Sequence, residues 1–476
     1  MANRTEAAMV PSPAAAQHRP ELVRELNVWH ATSIVVGTII GSGIFRVSGE
    51  MMKDVGSPAL VYLVWIVGGL LSFFGALTYA ELGAIKPYAG GEYVYVRDGY
   101  GPLPGFLYAW TWFLIAKPAS IAAVTTGIVD VLSTFPRLSF LPHVLGYLHL
   151  GSHTIDVTYG HLVAIAATVF ISGLNYIGIR SAGNFQLVLT ILKVAMIAAI
   201  IFIGFTAASG TWANFGTKFA GAKGGMAGFM AALVAALWAY DGWNDLNMVG
   251  GEIKRPERSI PLALISGVFV VALLYIGMNI AIQYVIPSGA LALLPVPAAA
   301  ATQIAIGPWG AALVSVGMAL SMLVGLNGTV MSGGRVPFAV ARDGYFFKAL
   351  GEVHPRFHTP AAAIVVQAVL AIALLLVGGA FKDLFSLAIF AEWLFYMIAA
   401  STIFVFRRRE PDTPRAYRTW GYPVVPALFI IAAAVLLYYT FTDNIRNSFV
   451  GSLVILAGVP VFLYFARKRK VAVQQS

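Results

Sequence analysis

Two nine-residue stretches carry the architecture of this chain: Gly37-Thr38-Ile39-Ile40-Gly41-Ser42-Gly43-Ile44-Phe45 and Leu237-Trp238-Ala239-Tyr240-Asp241-Gly242-Trp243-Asn244-Asp245. Both lie midway along apolar runs and interrupt them with glycine. Unwound backbone is tolerated at membrane depth only where it is buried in protein or lines a cavity, because no water satisfies its N–H and C=O groups. Counting apolar runs of roughly 20 residues predicts twelve spans, near 29–52, 57–85, 101–133, 159–180, 182–208, 224–250, 260–286, 307–334, 360–379, 383–406, 422–441 and 447–466. The two stretches fall in spans 1 and 6. An offset of five spans inverts the second unit relative to the first, and paired Gly-interrupted spans in inverted halves point to a transport site between repeats. The expected organisation is an N-terminal tail (1–26), a first repeat of spans 1–5 (27–208), a second of spans 6–10 (209–410), spans 11–12 (411–468) and a C-terminal tail (469–476).

Composition agrees. Of 476 residues, 59% are hydrophobic and 11% charged, with a mean hydropathy of +0.79; soluble domains average about 25% charged residues. A soluble enzyme, a disordered chain and a nucleic-acid binder are all disfavoured. The Leu/Ala/Gly-rich runs lack period-2 alternation, which argues for helices rather than a barrel. The net charge of +10 is topological: of 31 Lys and Arg residues, 21 fall in the segments on one side of the expected membrane and 6 in those on the other. That bias places both termini in the cytoplasm and makes the chain a multi-pass protein of the cell membrane. The first 26 residues hold no run of signal-peptide length. The loop 134–158, with few charges, reads as a short connector.

The breaks have a chemical use. A half-helix beginning near Gly43 presents free N–H groups at its positive end, which suits a carboxylate. One ending near Ile39 and Ile40 presents carbonyls, which suit an ammonium group. Glycine lets the backbone approach a ligand without a side chain between them. The same logic applies at Trp238–Gly242. Carboxylate and ammonium held by two facing broken helices describe the α-group of an amino acid. Gly37-x-x-x-Gly41 by itself fits close helix packing equally well; it is the pairing of the two breaks that favours a site.

No cysteine is present, which removes disulfides and Cys-ligated metal centres. Two His pairs have ligand-like spacing, His149 with His153 and His354 with His358, but both fall in expected loops interrupted by Gly151 and Pro355. No metal or cofactor is expected. No Gly-x-x-x-x-Gly-Lys-Ser/Thr signature is present, so ATP coupling within this chain is not expected.

At these residues the chain resembles the L-type amino acid transporter family, the light subunits of heteromeric amino acid transporters and their bacterial relatives, within the amino acid–polyamine–organocation superfamily. The likeness runs over about residues 26–440. It includes GTIIGSGIF at 37–45, GSPALVYLVWIVGGLLSFFGALTYAELG at 56–83, GGEYVYV at 90–96, WAYDGWNDLN at 238–247, GEIKRPERSIPLA at 251–263 and ARDGYF at 341–346. The resemblance implies an all-α, LeuT-like fold with a 5+5 inverted repeat plus two helices. It implies a substrate site at Ile39, Ile40, Gly41, Ser42, Gly43 and Ile44 on span 1, and at Trp238, Ala239, Asp241, Gly242 and Asn244 on span 6, with Trp238 as a lid. Light subunits of animals use a cysteine to join a heavy chain; without one, a disulfide-linked heavy subunit is not expected.

Charges inside the membrane are functional hypotheses by default. Lys193, near the middle of span 5, is flanked by apolar residues. The resemblance puts it where sodium-coupled relatives hold an ion, which implies an internal cation and sodium-independent transport. A structural tether to span-1 carbonyls or to Ser332 on span 8 is the plainer alternative. Asp241 either meets a cationic side chain or caps the broken helix; Asp245 and Glu392 add negative charge. Glu81 with Lys86 reads as a structural or gating ion pair. Lys117 precedes Pro118, which should kink span 3. Arg335 and Arg342 read as headgroup anchors; Trp29, Trp112, Trp309 and Trp420 read as interfacial residues. The expectation is thus a secondary carrier exchanging neutral and cationic L-amino acids by alternating access, with proton-coupled uptake as the alternative. A membrane enzyme would need catalytic clusters, a channel would lack paired broken helices, and a receptor would need a signalling domain.

Overall fold

A computed structural model describes residues 21–150, 153–377, 381–443 and 445–474. Residues 1–20 of the expected N-terminal tail and 475–476 of the C-terminal tail lie outside these, as do Gly151 and the side chain of His153. Among the described residues, nine helices are long and apolar enough to cross a membrane: Val28–Val55, Pro58–Ile85, Pro102–Leu132, Tyr159–Tyr176, Ile179–Phe205, Pro256–Val285, Pro308–Arg342, Val424–Thr442 and Ser448–Arg469. They correspond to spans 1–5, 7, 8, 11 and 12. The runs read as spans 6 and 9 form the shorter helices Gly225–Ala239 and Ala361–Val377, and that read as span 10 forms Phe381–Arg409.

Span 1 is broken where its glycines predict. Its first half, Val28–Ile39, is capped by Asn27, whose side-chain oxygen accepts from the amides of Trp29 and His30 at 2.9 and 3.1 Å. It stops at Ile40, which is extended (φ −73°, ψ 95°). The chain re-enters a helix at Gly43–Val55, closed by Gly56 in the left-handed region (φ 74°), and Pro58 opens span 2 at the position where a missing amide costs nothing. Span 6 stops at Ala239, turns through Asp241–Asn244, and resumes as the short helix Asp245–Met248.

Packing aligns the two breaks. The second half of span 1 lies on the first half of span 6, span 7 packs on spans 1 and 2, and span 5 packs on spans 1, 7 and 8. Span 3 is not smoothly kinked: a π-helical turn, Trp112–Ala116, precedes Lys117. Pro118 has no amide to give the carbonyl of Leu114 and its ring crowds that turn, so the ladder widens there.

Four expectations are corrected. The 134–158 loop is no plain connector but carries an antiparallel hairpin, Val144–Leu150 with His153–Thr158, whose Thr, Ile and Val residues suit a strand. Glu81 does not pair with Lys86: its carboxylate accepts from Arg407 (2.7 and 2.9 Å) and from the amide of Thr419 (2.7 Å), with Arg415 beside it at 3.1 Å, whereas Lys86 pairs with Glu410 at 3.0 Å. Arg335 is no headgroup anchor; it is fully buried, donating to both oxygens of Glu252 (2.8 and 3.0 Å) and to the carbonyl of Met331 (2.7 Å). Removing one partner of such a pair costs roughly 3–5 kcal/mol. Trp112 is buried against Tyr108 (ring centroids 4.8 Å), whereas Trp29, Trp309 and Trp420 are exposed. A hydropathy count cannot separate a buried arginine or tryptophan near a span end from an interfacial one, because the partner lies far away in sequence.

Candidate functional site

The breaks in spans 1 and 6 face each other across a cavity of about 410 Å³. Thr38, Ile39, Gly41, Ser42 and Gly43 line it from span 1, and Trp238, Ala239, Asp241, Gly242 and Asn244 from span 6. Lys117, Asp245, Glu392 and Tyr396 form a charged floor, and Arg46 and Asp130 stand at its other end. Of the residues expected at the site, Ile40 and Ile44 are fully buried and do not line the cavity.

The glycines divide by role. A Cβ on Gly37 would come within 2.4 Å of Gln186 and 2.8 Å of Val324, so this glycine serves packing against spans 5 and 8. A Cβ on Gly41 would meet nothing within 4 Å. At Gly43 it would touch Ala239 and Trp238 at 3.2 and 3.3 Å. Gly242 is at φ 102°, and a Cβ there would lie 3.1 Å from the backbone of Thr38. The two breaks are joined: the Thr38 hydroxyl donates to the carbonyl of Gly242 at 2.8 Å.

Helix geometry leaves the first amides of Gly43–Val55 without i−4 acceptors; Gly43 lines the cavity, whereas the amide of Phe45 donates to the carbonyl of Ser42 at 3.2 Å. The carbonyls that the break frees are held by two donors. Lys193 donates to the carbonyls of Gly37 (2.9 Å), Ile40 (2.7 Å) and Ser321 (3.2 Å), so its ammonium bridges the break in span 1 to span 8. The Tyr275 hydroxyl on span 7 lies 3.1 Å from the carbonyl of Ile39 and 2.8 Å from that of Ala239, one from each broken helix. Ser332 is not part of this arrangement. It donates to the carbonyl of Thr329 and stands eleven residues past Ser321, about 16 Å along a helix.

The second break is held by side chains. The Tyr396 hydroxyl lies 3.0 Å from Asp241 Oδ1 and 3.3 Å from Asn244 Oδ1. Asn244 donates to Glu92 Oε1 at 2.6 Å, and the Tyr108 hydroxyl donates to the other oxygen of Glu92 at 3.4 Å. Glu92 opens the helix Glu92–Tyr100 that precedes span 3, and burial pushes its carboxyl up to about 7, against the opposing effect of the Asn244 bond. Lys117 pairs with Asp245 in the floor, both buried. Trp238 rests on the wall beside Gly43 and is 41% exposed, while Trp243 is buried against Tyr79 (4.8 Å) and Phe429 (6.1 Å).

Sequence reasoning missed Tyr275, Tyr396, Glu92 and the Lys117–Asp245 pair. Tyr275 left a usable signal: it is a tyrosine midway along an apolar run, and a buried tyrosine hydroxyl generally finds a partner. One histidine of each pair makes a local hydrogen bond. His149 bonds Thr154 across the hairpin at 3.0 Å, and His354 Nδ1 accepts from the amides of Arg356 and Phe357.

A helical membrane protein whose two broken helices share a polar cavity has the construction of a carrier. The sequence matches the family described as amino acid permease over residues 26–465, and the chain belongs to that family. It is 33% identical to the serine/threonine exchanger SteT of Bacillus subtilis (strain 168) over 457 residues, which cover 95% of this chain and 98% of that protein. It is 33% identical to the human b(0,+)-type amino acid transporter 1 over 400 residues, 83% of this chain and 78% of that one. With the human cystine/glutamate transporter it shares 29% over 450 residues, 94% and 86% of the two chains. Family and relatives are transporters, not enzymes.

Proposed function

We propose that this chain is a sodium-independent exchanger of neutral and cationic L-amino acids, working by alternating access through twelve spans with both termini in the cytoplasm. Spans 1–5 and 6–10 are its LeuT-like inverted repeats. The substrate carboxylate docks on the amides beginning at Gly43, and its ammonium on carbonyls near Ile39 and Ala239. Trp238 swings from the wall to cover it.

The observation that carries this reading is the hold of Lys193 on the carbonyls of Gly37, Ile40 and Ser321. A fixed ammonium occupying those carbonyls does what a bound sodium ion would otherwise do, and transport then needs no sodium. Substrate class follows from charge at the floor. Asp241, Asp245 and Glu392 stand there against one cation, Lys117, and Lys117 is committed to Asp245. Asp241 and Glu392 are left to receive a cationic side chain, while a small neutral one needs no partner. The relatives fit this range in part: one is named for serine and threonine, another for b(0,+)-type amino acids.

The test is uptake of labelled alanine, leucine and arginine into proteoliposomes without sodium, with and without unlabelled amino acid inside. Uptake that requires internal amino acid establishes exchange. Accumulation in empty liposomes under an inward proton gradient overturns it in favour of proton-coupled uptake.

A further inference from the structure

Span 3 presents one stripe to the cavity along its whole depth, from Lys117 through Ser120, Ala123 and Gly127 to Asp130. At the floor end of this stripe, Lys117 is joined to Asp245 just past the break in span 6. At the other end, Asp130 faces Arg46, one helical turn past Gly43 on the second half of span 1. Both Arg46 and Asp130 are exposed. The charge of Arg46 acts on Asp130 across the opening, yet among the described residues no ion pair joins them.

The two residues ride on different packing groups. The helix Gly43–Val55 bearing Arg46 packs against spans 2 and 6 and the helix Pro297–Ile306, whereas the helix Lys117–Leu132 bearing Asp130 packs against spans 4, 8 and 9. The cavity lies between these two helices, and Pro297–Ile306, which also packs on span 8, links their two sets of neighbours. One ion pair therefore already ties span 3 to the broken helices at the floor, and the charges of a second stand apart at the mouth.

We infer that Arg46 and Asp130 form an ion pair as the mouth closes, sealing the cavity about one helical turn beyond the substrate carboxylate at Gly43. They are positioning residues of the transport cycle. This rests on the alternating-access reading above. The long arginine side chain spans a gap that closes as one helix moves toward the other, and leaving water strengthens the pair as it forms. An ion pair also opens again: its partners return to water in the next cycle, where an apolar seal would resist wetting.

The natural absence of cysteine makes the test direct. Substrate binding is first measured on the unmodified protein as a thermal shift with alanine, leucine and arginine, which tests the transport reading independently. Arg46→Asp and Asp130→Arg alone should each slow exchange about ten-fold, and the double variant R46D/D130R should recover most of that loss. In R46C/D130C, a short bis-methanethiosulfonate, which joins the two thiols through disulfides, should cross-link faster with substrate present, and the linked protein should not exchange until a reductant frees it. A cross-linking rate indifferent to every substrate that shifts the melting temperature, or a double variant as slow as its parents while still folded, overturns the pair.

Discussion

The breaks in spans 1 and 6 do the same geometric task with different materials. In span 1 the freed carbonyls are met by groups from elsewhere in the bundle, the ammonium of Lys193 and the hydroxyl of Tyr275. In span 6 the break carries its own polar side chains, Asp241 and Asn244, and these are tied to Tyr396 and Glu92. The first break is thus a backbone site fixed by a cation behind it. The second is held by side chains, and on the proposed reading it is the place where substrates that differ beyond the α-carbon are told apart. Backbone groups are common to every amino acid, so a carrier can hold the shared part of its substrates on one break and vary the other.

Lys193 is where that contrast can be broken most severely. Lys193→Ala leaves the freed carbonyls of Gly37 and Ile40 without their donor, at about 1–3 kcal/mol each. Exchange in proteoliposomes should fall about 100-fold while the protein still elutes as a folded species. Exchange near the unmodified rate would make the lysine dispensable and the two breaks equivalent. Next come two glycines. Gly242→Ala places a methyl in the left-handed region against the Thr38 backbone, at about 1–2 kcal/mol from the backbone conformation alone, and should lower the melting temperature. Gly41→Ala meets nothing within 4 Å and should leave melting unchanged while weakening substrate binding about ten-fold by intruding on the cavity. The same response from both would mean that the cavity at Gly41 is not the substrate site.

Asp241→Asn sharpens the contrast further. Arginine exchange should fall about ten-fold relative to leucine and alanine; an equal loss for all three would reduce Asp241 to a cap on the broken helix. An effect of another kind, on the pH dependence of stability, is expected at Glu92. Its carboxyl keeps its proton up to about pH 7 in the folded protein, above the ordinary value of 4.5. Between those values the unfolded chain releases a proton that the folded chain retains, so folding loses stability as pH rises. Glu92→Gln has no proton to release. Its melting temperature should gain on that of the unmodified protein from pH 4.5 to about 7 and hold level above. A difference constant across that window would mean that Glu92 ionises freely.

Much of this was legible in the residues themselves. Glycines at 41, 43 and 242 mark the breaks, because they fall in two spans at the repeat offset, which close helix packing alone does not require. The apolar runs give the spans, and Lys193 stands out as a charge with no local partner. What failed did so for a common reason. Proximity in sequence suggests Lys86 as the partner of Glu81, whereas Glu81 is held by residues more than 300 positions away; Ser332 lies on span 8, which Lys193 reaches, but Lys193 meets that span at Ser321. Arg335 and Trp112 read as surface residues because periodicity does not reveal which face of a span meets protein and which meets lipid.

The sequence by itself determined that this chain lives in a membrane, where its helices run and where two of them must come apart, since each follows from burying backbone in a solvent that offers it no hydrogen bonds. Which donor repairs each break was decided only by the tertiary structure. So was the joining of Lys117 to Asp245 at the floor while Arg46 and Asp130 stand apart at the mouth. Those are contacts between elements remote in the chain, and only the packing of the helices brings such groups within reach.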